Sequence, residues 1–78
     1  MRFVLFTRRG CHLCEQAEDL LAVHRVEAAL VDVDADATAR ERYGLRVPVL
    51  ELDGLVVAEG RIDDRAVATL AAAVTGRG

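Results

Sequence analysis

The chain has 78 residues, 53% of them hydrophobic, and a formal charge of −3 from 10 basic and 13 acidic residues. A chain of this length forms one core, so residues 1–78 are expected to fold as a single domain. The negative charge and an aromatic content of only 4% argue against a nucleic-acid partner, because nucleic-acid binding uses basic surfaces and stacking rings.

The apolar runs and the cysteines indicate the compartment. No apolar run reaches the length of a signal peptide or the ~20 residues that span a membrane. The two cysteines lie three positions apart, so a disulfide between them would close almost no loop and add little stability. Small secreted domains carry more cysteines, spread along the chain. We therefore expect a cytoplasmic protein with no membrane partner, whose cysteines serve chemistry.

The first third of the chain predicts a strand followed by a helix. Phe3–Phe6 is a continuous apolar run, typical of a strand buried on both faces, and Thr7–Gly10 breaks it as a loop. From Cys11 the apolar spacing becomes helical, and the helix is expected to end near His24 and Arg25, where cations are favoured. Its apolar face is expected to contain Leu13, Ala17, Leu20 and Leu21.

The rest of the chain predicts three more strands and two more helices. These are a strand over Ala28–Val33, a helix ending at Tyr43, strands over Val47–Leu52 and Leu55–Ala58, and a last helix with the inner stripe Val67, Leu70, Ala71 and Val74. Asp34 or Asp36 is expected to cap the second helix, with Gly44 as its C′ residue. Asp53 and Gly54 are a two-residue hairpin signal.

The predicted order is β-α-β-α-β-β-α. Strands one and two, joined by a helical crossover, should be parallel, and strands three and four should form a hairpin. A four-stranded mixed sheet with helices on both faces is the smallest thioredoxin-like α/β architecture, and this is the predicted fold. Asp63 or Asp64 should cap the last helix, and Gly76–Gly78 is expected to fray.

Cys11 and Cys14 fall at the junction of the first strand and the first helix. With Cys11 as N-cap and Cys14 as N3, their Cα atoms lie within the ~4.4–6.8 Å that a disulfide spans. The attacking species is a thiolate, and unpaired N–H groups at a helix N-terminus stabilise it. Cys11, nearer solvent, is expected to attack a disulfide, and Cys14 to resolve the mixed disulfide.

Three segments carry a resemblance to a known family: Thr-Arg-Arg-Gly-Cys-His-Leu-Cys at Thr7–Cys14, Val47-Pro48, and Gly-Arg-Ile-Asp-Asp at Gly60–Asp64. They resemble the landmarks of glutaredoxins, and more narrowly those of short bacterial glutaredoxin-like proteins whose motif begins Gly-Cys-His-Leu-Cys. The resemblance covers nearly the whole chain. It implies a thioredoxin fold, a cis proline facing the dithiol, no bound cofactor, and disulfide reduction with glutathione or a thioredoxin reductase as electron source.

The resemblance also implies roles for residues around the dithiol. A cis bond before Pro48 would turn the backbone of Val47 outward beside Cys11, where an extended peptide or glutathione could pair with it. Arg8 matches a basic residue that captures anions and stabilises the thiolate, although a solvated loop charge is equally consistent with its position. His12 replaces a proline common in the family. It could support the Cys11 thiolate as a cation, relay a proton, or simply lie exposed.

Asp63 and Asp64 match the acidic pair that binds the α-amino end of glutathione in glutaredoxins, although helix capping also explains them. Two positions depart from the family pattern. Arg61 stands where the second glycine of a Gly-Gly turn belongs, and Arg46 replaces a threonine before Val-Pro. Either cation could crowd the glutathione groove or bind a carboxylate. We therefore expect weak glutathione binding with retained disulfide reduction.

Two other classes of function could use the same cysteines. Paired thiolates hold Cu(I) in small copper carriers, but those carriers have the order β-α-β-β-α-β. An iron–sulfur cluster would need ligands from a second subunit, and zinc would need two further ligands. An interaction module that keeps the fold without turnover is the other alternative. The prediction is a monomeric dithiol oxidoreductase that acts on disulfide-containing proteins or glutathione.

Overall fold

A computed structural model of the chain describes residues 2–75. Its elements are β1 (Phe3–Thr7), α1 (His12–Val23), β2 (Ala28–Asp32), α2 (Ala37–Tyr43), β3 (Val49–Leu52), β4 (Leu55–Glu59) and α3 (Asp64–Thr75). The predicted order β-α-β-α-β-β-α is confirmed, and the fold is thioredoxin-like. The predicted fraying of Gly76–Gly78 lies outside the described residues.

The four strands form one mixed sheet in the order β2-β1-β3-β4. β1 is parallel to β2, with Leu5 beside Leu30, and antiparallel to β3, with Leu5 beside Leu50. β3 and β4 are antiparallel neighbours. The C-terminal end of β1 therefore lies in the middle of one edge of the sheet, between the end of β2 and the start of β3.

Helices cover both faces of the sheet, because side chains of the strands alternate between two apolar clusters. The larger cluster joins α1 and α3 to one face through Phe3, Leu5, Ala17, Leu21, Leu50, Ile62 and Val67. The smaller cluster joins α2 to the other face through Val33, Ala39, Tyr43 and Val49. β1 serves both, since Leu5 lies in the first and Phe6 packs against the second. This explains why the sequence of β1 contains an unbroken apolar run.

Turn and cap residues set the ends of the elements as predicted. Asp53 and Gly54 have φ angles of 52° and 87°, the left-handed pair that a two-residue type I′ hairpin requires. Asp36, the second of the two candidates, caps α2 by accepting the N–H of Ala39 at 2.9 Å. Asp63 caps α3 in the same way.

The structure corrects the ends of the middle elements. β2 ends at Asp32, one residue earlier than predicted, and β3 begins at Val49, because Val47 and Pro48 precede the ladder. Gly44 is the C-cap of α2 with a φ of −56°, not a left-handed C′ residue. A Cβ at Gly44 would lie 2.6 Å from the carbonyl oxygen of Arg40, so close backbone approach explains this glycine.

The buried stripe of α1 also differs from the prediction. Cys14, Ala17 and Leu21 are its buried residues, whereas Leu13 is 37% exposed. Successive residues are about 100° apart around a helix, so a stripe that includes Cys14 turns Leu13 towards solvent. Leu20 packs only at the margin of the core.

Candidate active site

The dithiol follows a tight turn at the end of β1. Gly10 has a φ of 74°, a left-handed conformation that favours glycine. The N–H of Cys11 donates to the carbonyl oxygen of Arg8 at 3.3 Å and closes the turn. Cys11 is the N-cap of α1, and Cys14 is the third residue of the helix. The local sequence therefore places both thiols at the positive end of α1.

The two thiols are free and lie in different surroundings. Cys11 is partly exposed, and its Sγ accepts the N–H of Cys14 at 3.3 Å. Cys14 is 0% exposed. Burial raises the pKa of the Cys14 thiol and its contact with Cys11 raises it further, whereas hydrogen bonds with Thr7 and the backbone of Arg8 act in the opposite direction. Cys14 is thus held as a protonated thiol at neutral pH.

The carboxylate of Glu18, which was not assigned to the site from the sequence, lies close to Cys14, on the other side of Thr7. Thr7 is buried and close enough to Cys14 to lower the pKa of its thiol, and the Thr7 hydroxyl donates to Oε2 of Glu18 at 3.0 Å. Glu18 follows Cys14 by four residues, so both lie on one face of α1. That spacing is visible in the sequence, but the position of Thr7 between the two residues depends on how α1 packs on β1.

The Val47–Pro48 peptide bond is cis, in agreement with what the resemblance implies, and Pro48 is fully buried. The register of β1 and β3 pairs Phe6 with Val49. One residue further along both strands, Pro48 lies beside Thr7. Because Thr7 also contacts Cys14, the proline and the dithiol lie at the same edge of the sheet.

The backbone around Pro48 is only partly hydrogen-bonded. The carbonyl oxygen of Pro48 accepts the N–H of Gly60 at 2.9 Å, which ties the end of β4 to this edge. The N–H and C=O of Val47 make no hydrogen bond to any of residues 2–75. Val47 can therefore offer one donor and one acceptor to a bound molecule.

Arg8 is bound within the protein. Its Nε and Nη2 donate to the two carboxylate oxygens of Asp34 at 2.9 and 3.0 Å, and its Nη1 donates to the carbonyl oxygen of Gly44 at 2.8 Å. Arg8 lowers the pKa of Asp34, and Asp34 raises that of Arg8, with smaller contributions from Cys14 and Cys11. The side chain therefore joins the dithiol loop to the loops before and after α2. The sequence did not indicate Asp34 as its partner.

Arg46 is likewise paired within the protein. Its Nε and Nη2 lie 2.8 and 2.7 Å from Oε1 of Glu59, and its guanidinium lies 5.2 Å from the centre of the Tyr43 ring. Arg42 lies over the same ring at 4.9 Å. The Tyr43 hydroxyl donates to the buried Glu51, and this bond, followed by burial, raises the pKa of Tyr43. This cluster anchors the loop before Val47 on the α2 face of the sheet.

The acidic pair at the start of α3 is also engaged. The carboxylate of Asp63 accepts the N–H of Ala66 at 2.9 Å, and Oδ1 of Asp64 lies 2.8 Å from Nε2 of His24. His24 is the C-cap of α1, roughly 20 Å along the helix from Cys11 at 1.5 Å per residue. The structure thus pairs Asp64 with the C-terminal end of α1.

The two remaining side chains considered from the sequence, His12 and Arg61, are exposed. Neither makes a hydrogen bond or an ion pair with another residue in the range 2–75. In that same range, no three His, Cys, Asp or Glu side chains come together as a group that could hold a metal ion. The described helices include none that is long and apolar enough to cross a membrane.

The thioredoxin-like sheet and the CxxC dithiol at the start of α1 define the class of a glutaredoxin-like protein of the thioredoxin superfamily. Residues 2–70 match the family model of the Glutaredoxin-like domain (DUF836), and the chain belongs to this family. The X-ray structure of Northeast Structural Genomics target protein XcR50 from X. campestris is similar, with 37% identity, a TM-score of 0.76, and coverage of 91% of this chain and 96% of that chain.

The solution structure of XcR50 is also similar, with 37% identity, a TM-score of 0.69, and coverage of 94% of this chain and 95% of that chain. A comparison with curated proteins found no significant match.

Proposed function

We propose that the protein is a dithiol oxidoreductase that reduces disulfides through Cys11 and Cys14. The observation that carries this proposal is the asymmetry of the two thiols at one helix end. Cys11 is accessible, and its sulfur accepts a backbone N–H, whereas Cys14 is fully buried and protonated behind it. A nucleophilic thiolate followed by a resolving thiol needs this arrangement.

The reaction transfers two electrons from the protein to the substrate. The Cys11 thiolate attacks one sulfur of the substrate disulfide, so that the substrate S–S bond breaks, a mixed disulfide forms, and one substrate thiolate leaves. Cys14 then attacks Sγ of Cys11, which releases the second substrate thiolate and leaves a Cys11–Cys14 disulfide. The two leaving thiolates take up protons from solvent, and the proton that Cys14 gives up is returned to solvent.

The proton of Cys14 has a path out of the buried site. Thr7 lies between the Cys14 thiol and the Glu18 carboxylate, with its hydroxyl 3.0 Å from Oε2. In the resolving step the thiol gives its proton to the Thr7 hydroxyl as that hydroxyl passes its own proton to Glu18. Glu18 is therefore proposed as the base of the second step, and it takes no part in the first.

Substrate and reductant engage the same edge of the sheet. The unpaired N–H and C=O of Val47 fit the backbone of an extended polypeptide, in the manner of strand addition. The oxidised protein is returned to the dithiol by glutathione or by a thioredoxin reductase. The two electron donors can be compared by measuring, in a spectroscopic assay, how fast each one reduces the oxidised protein.

Trapping experiments test the proposal. A Cys14→Ser variant mixed with a disulfide-bonded protein should accumulate a stable mixed disulfide at Cys11, because the resolving thiol is missing. A Cys11→Ser variant should neither trap nor reduce that substrate, because Cys14 is buried. An adduct formed by Cys11→Ser as readily as by Cys14→Ser would contradict the assignment, and an inactive wild-type protein would contradict the function.

A further inference from the structure

Four of the five charged side chains considered for glutathione binding, all except Arg61, have a partner inside the protein. The pairs are Arg8 with Asp34 and Gly44, Arg46 with Glu59, Asp63 with the N–H of Ala66, and Asp64 with His24. Glutathione is recognised through its two carboxylates and its amino group, so these internal contacts would compete with its binding.

Arg8 shows the competition most clearly. Three of its five N–H donors are used, two of them in a fork on the carboxylate of Asp34. A carboxylate of a bound molecule would find only two N–H groups unused, and it would approach a guanidinium already neutralised by Asp34. Asp34 therefore acts against an anionic ligand both by occupying the donors and by its charge.

Other cations near the site are solvated. Arg9 and Arg61 are exposed and have no ion-pair partner among residues 2–75. Without a partner to fix its orientation, an exposed guanidinium is not a preformed carboxylate site. Neither residue therefore replaces the fixed, bidentate site that Arg8 would offer if Asp34 were absent.

Several groups left open near the dithiol are uncharged. Val47 has a free backbone donor and acceptor. Leu13, between the two cysteines, is 37% exposed, and Leu45, two residues before Val47, is 101% exposed. An extended polypeptide that pairs with Val47 can cover such side chains and gain apolar contact.

We propose, resting on the proposed function, that the substrates are disulfides in polypeptide segments with apolar flanking residues rather than glutathione disulfide, and that Asp34 sets this preference by holding Arg8. Asp34 is thus a specificity-determining residue that acts through Arg8. The chemistry of each substrate is the same two-electron exchange at Cys11, and only recognition differs.

The first experiment compares glutathione disulfide with the neutral 2-hydroxyethyl disulfide as oxidants of the reduced protein. The wild-type protein should react with the two at rate constants within roughly threefold of each other, since no free Arg8 fork attracts carboxylates. Asp34→Ala should raise the rate constant for glutathione disulfide by roughly tenfold, the effect of one charge-assisted hydrogen bond. The rate constant for the neutral disulfide should change by less than about twofold.

The matched control is Asp19→Ala, which removes the same charge from an exposed position on α1. It should leave both rate constants within about twofold of wild type. A wild-type preference for glutathione disulfide above about tenfold, or an Asp34→Ala variant with unchanged selectivity, would overturn the inference while leaving the oxidoreductase function intact. A wild-type protein that reduces neither of these disulfides nor a disulfide-linked peptide would overturn both.

The second experiment uses two disulfide-linked peptides that differ only in having Leu or Glu on each side of the cysteine. The Leu-flanked peptide should react roughly fivefold faster, which corresponds to covering about 40 Å² of apolar surface at about 25 cal/mol per Å². Equal rates, or a faster Glu-flanked peptide, would show that the open surface does not select apolar segments and would overturn the proposed substrate class.

Discussion

Replacement of Tyr43 by Phe tests whether the cluster behind the Val47 loop stabilises the fold. The Tyr43 hydroxyl donates to Glu51, a carboxylate that is only 7% exposed. Its removal leaves a buried charged acceptor with Arg42, 3.8 Å away, as its nearest cation. A hydrogen bond to a charged group contributes about 1.5–3 kcal/mol. Tyr43→Phe should therefore destabilise the protein by that amount.

The expected change in Tm follows from the size of the chain. An unfolding entropy of about 2.1 cal/mol/K per residue gives roughly 0.16 kcal/mol/K for this chain, so Tm should fall by roughly 9–18 °C. The measurement is thermal unfolding followed by circular dichroism, with Glu51→Gln and the double variant completing a thermodynamic cycle. The double variant should lose much less stability than the sum of the losses in the two single variants. A shift below about 2 °C in Tyr43→Phe would refute the reasoning.

The same bond has a pH signature. Tyr43 is the chain's one tyrosine, and the chain has no tryptophan, so tyrosinate absorbance reports on Tyr43 alone. The hydrogen bond to Glu51 raises the pKa of Tyr43, and its stabilisation is present below about pH 10, the unfolded value, and is lost as pH rises through the folded pKa. Glu51→Gln should move the absorbance titration to lower pH, and an unchanged titration would contradict this account.

Three further predictions concern the core, the α3 cap and the proposed base. Leu50→Ala, at a fully buried position, should lower the free energy of unfolding, measured in urea, by about 2–5 kcal/mol. A loss below about 1 kcal/mol would show that the site is not well packed. Asp63→Ala should lower the free energy of unfolding by about 0.5–2 kcal/mol, whereas Asp63→Asn should retain most of the stability because Asn also caps a helix. Equal losses in the two variants would show that the charge of Asp63 matters more than its hydrogen bond to Ala66. Glu18→Gln should slow release of the second substrate thiol by roughly 10²-fold at neutral pH while leaving the first unchanged, measured by stopped-flow mixing. Raising the pH should restore that rate, because the Cys14 thiol, whose pKa is raised by burial, then ionises without a base. A Glu18→Gln variant with normal release at neutral pH would exclude Glu18 as the base.

Most of the fold could be predicted from the sequence because the signals are local. The apolar run of β1, the helical spacing after Cys11 and the hairpin signal at Asp53 and Gly54 each depend on a few adjacent residues. The placement of both cysteines at one helix end follows from the same local reasoning. The exposure of Leu13 was mispredicted, because a periodic pattern does not say which of two neighbouring stripes faces the sheet.

The partners of the charged residues could not be predicted from the sequence. Arg8 and Asp34 are 26 positions apart, and His24 and Asp64 are 40 apart. Such pairs exist only once the strands have set the distances between the loops. A family resemblance assigns a position a role, but the side chain can be engaged by a partner that the family pattern does not contain.

The central claim is that Cys11 attacks and Cys14 resolves, and selective alkylation tests it most directly. The reduced, folded protein is treated briefly with iodoacetamide at neutral pH, and the fragment carrying both cysteines is sequenced by tandem mass spectrometry. Cys11, which is partly exposed and accepts a backbone N–H, should be modified at least roughly tenfold faster than the fully buried Cys14. Equal modification of the two thiols, or faster modification of Cys14, would contradict the account.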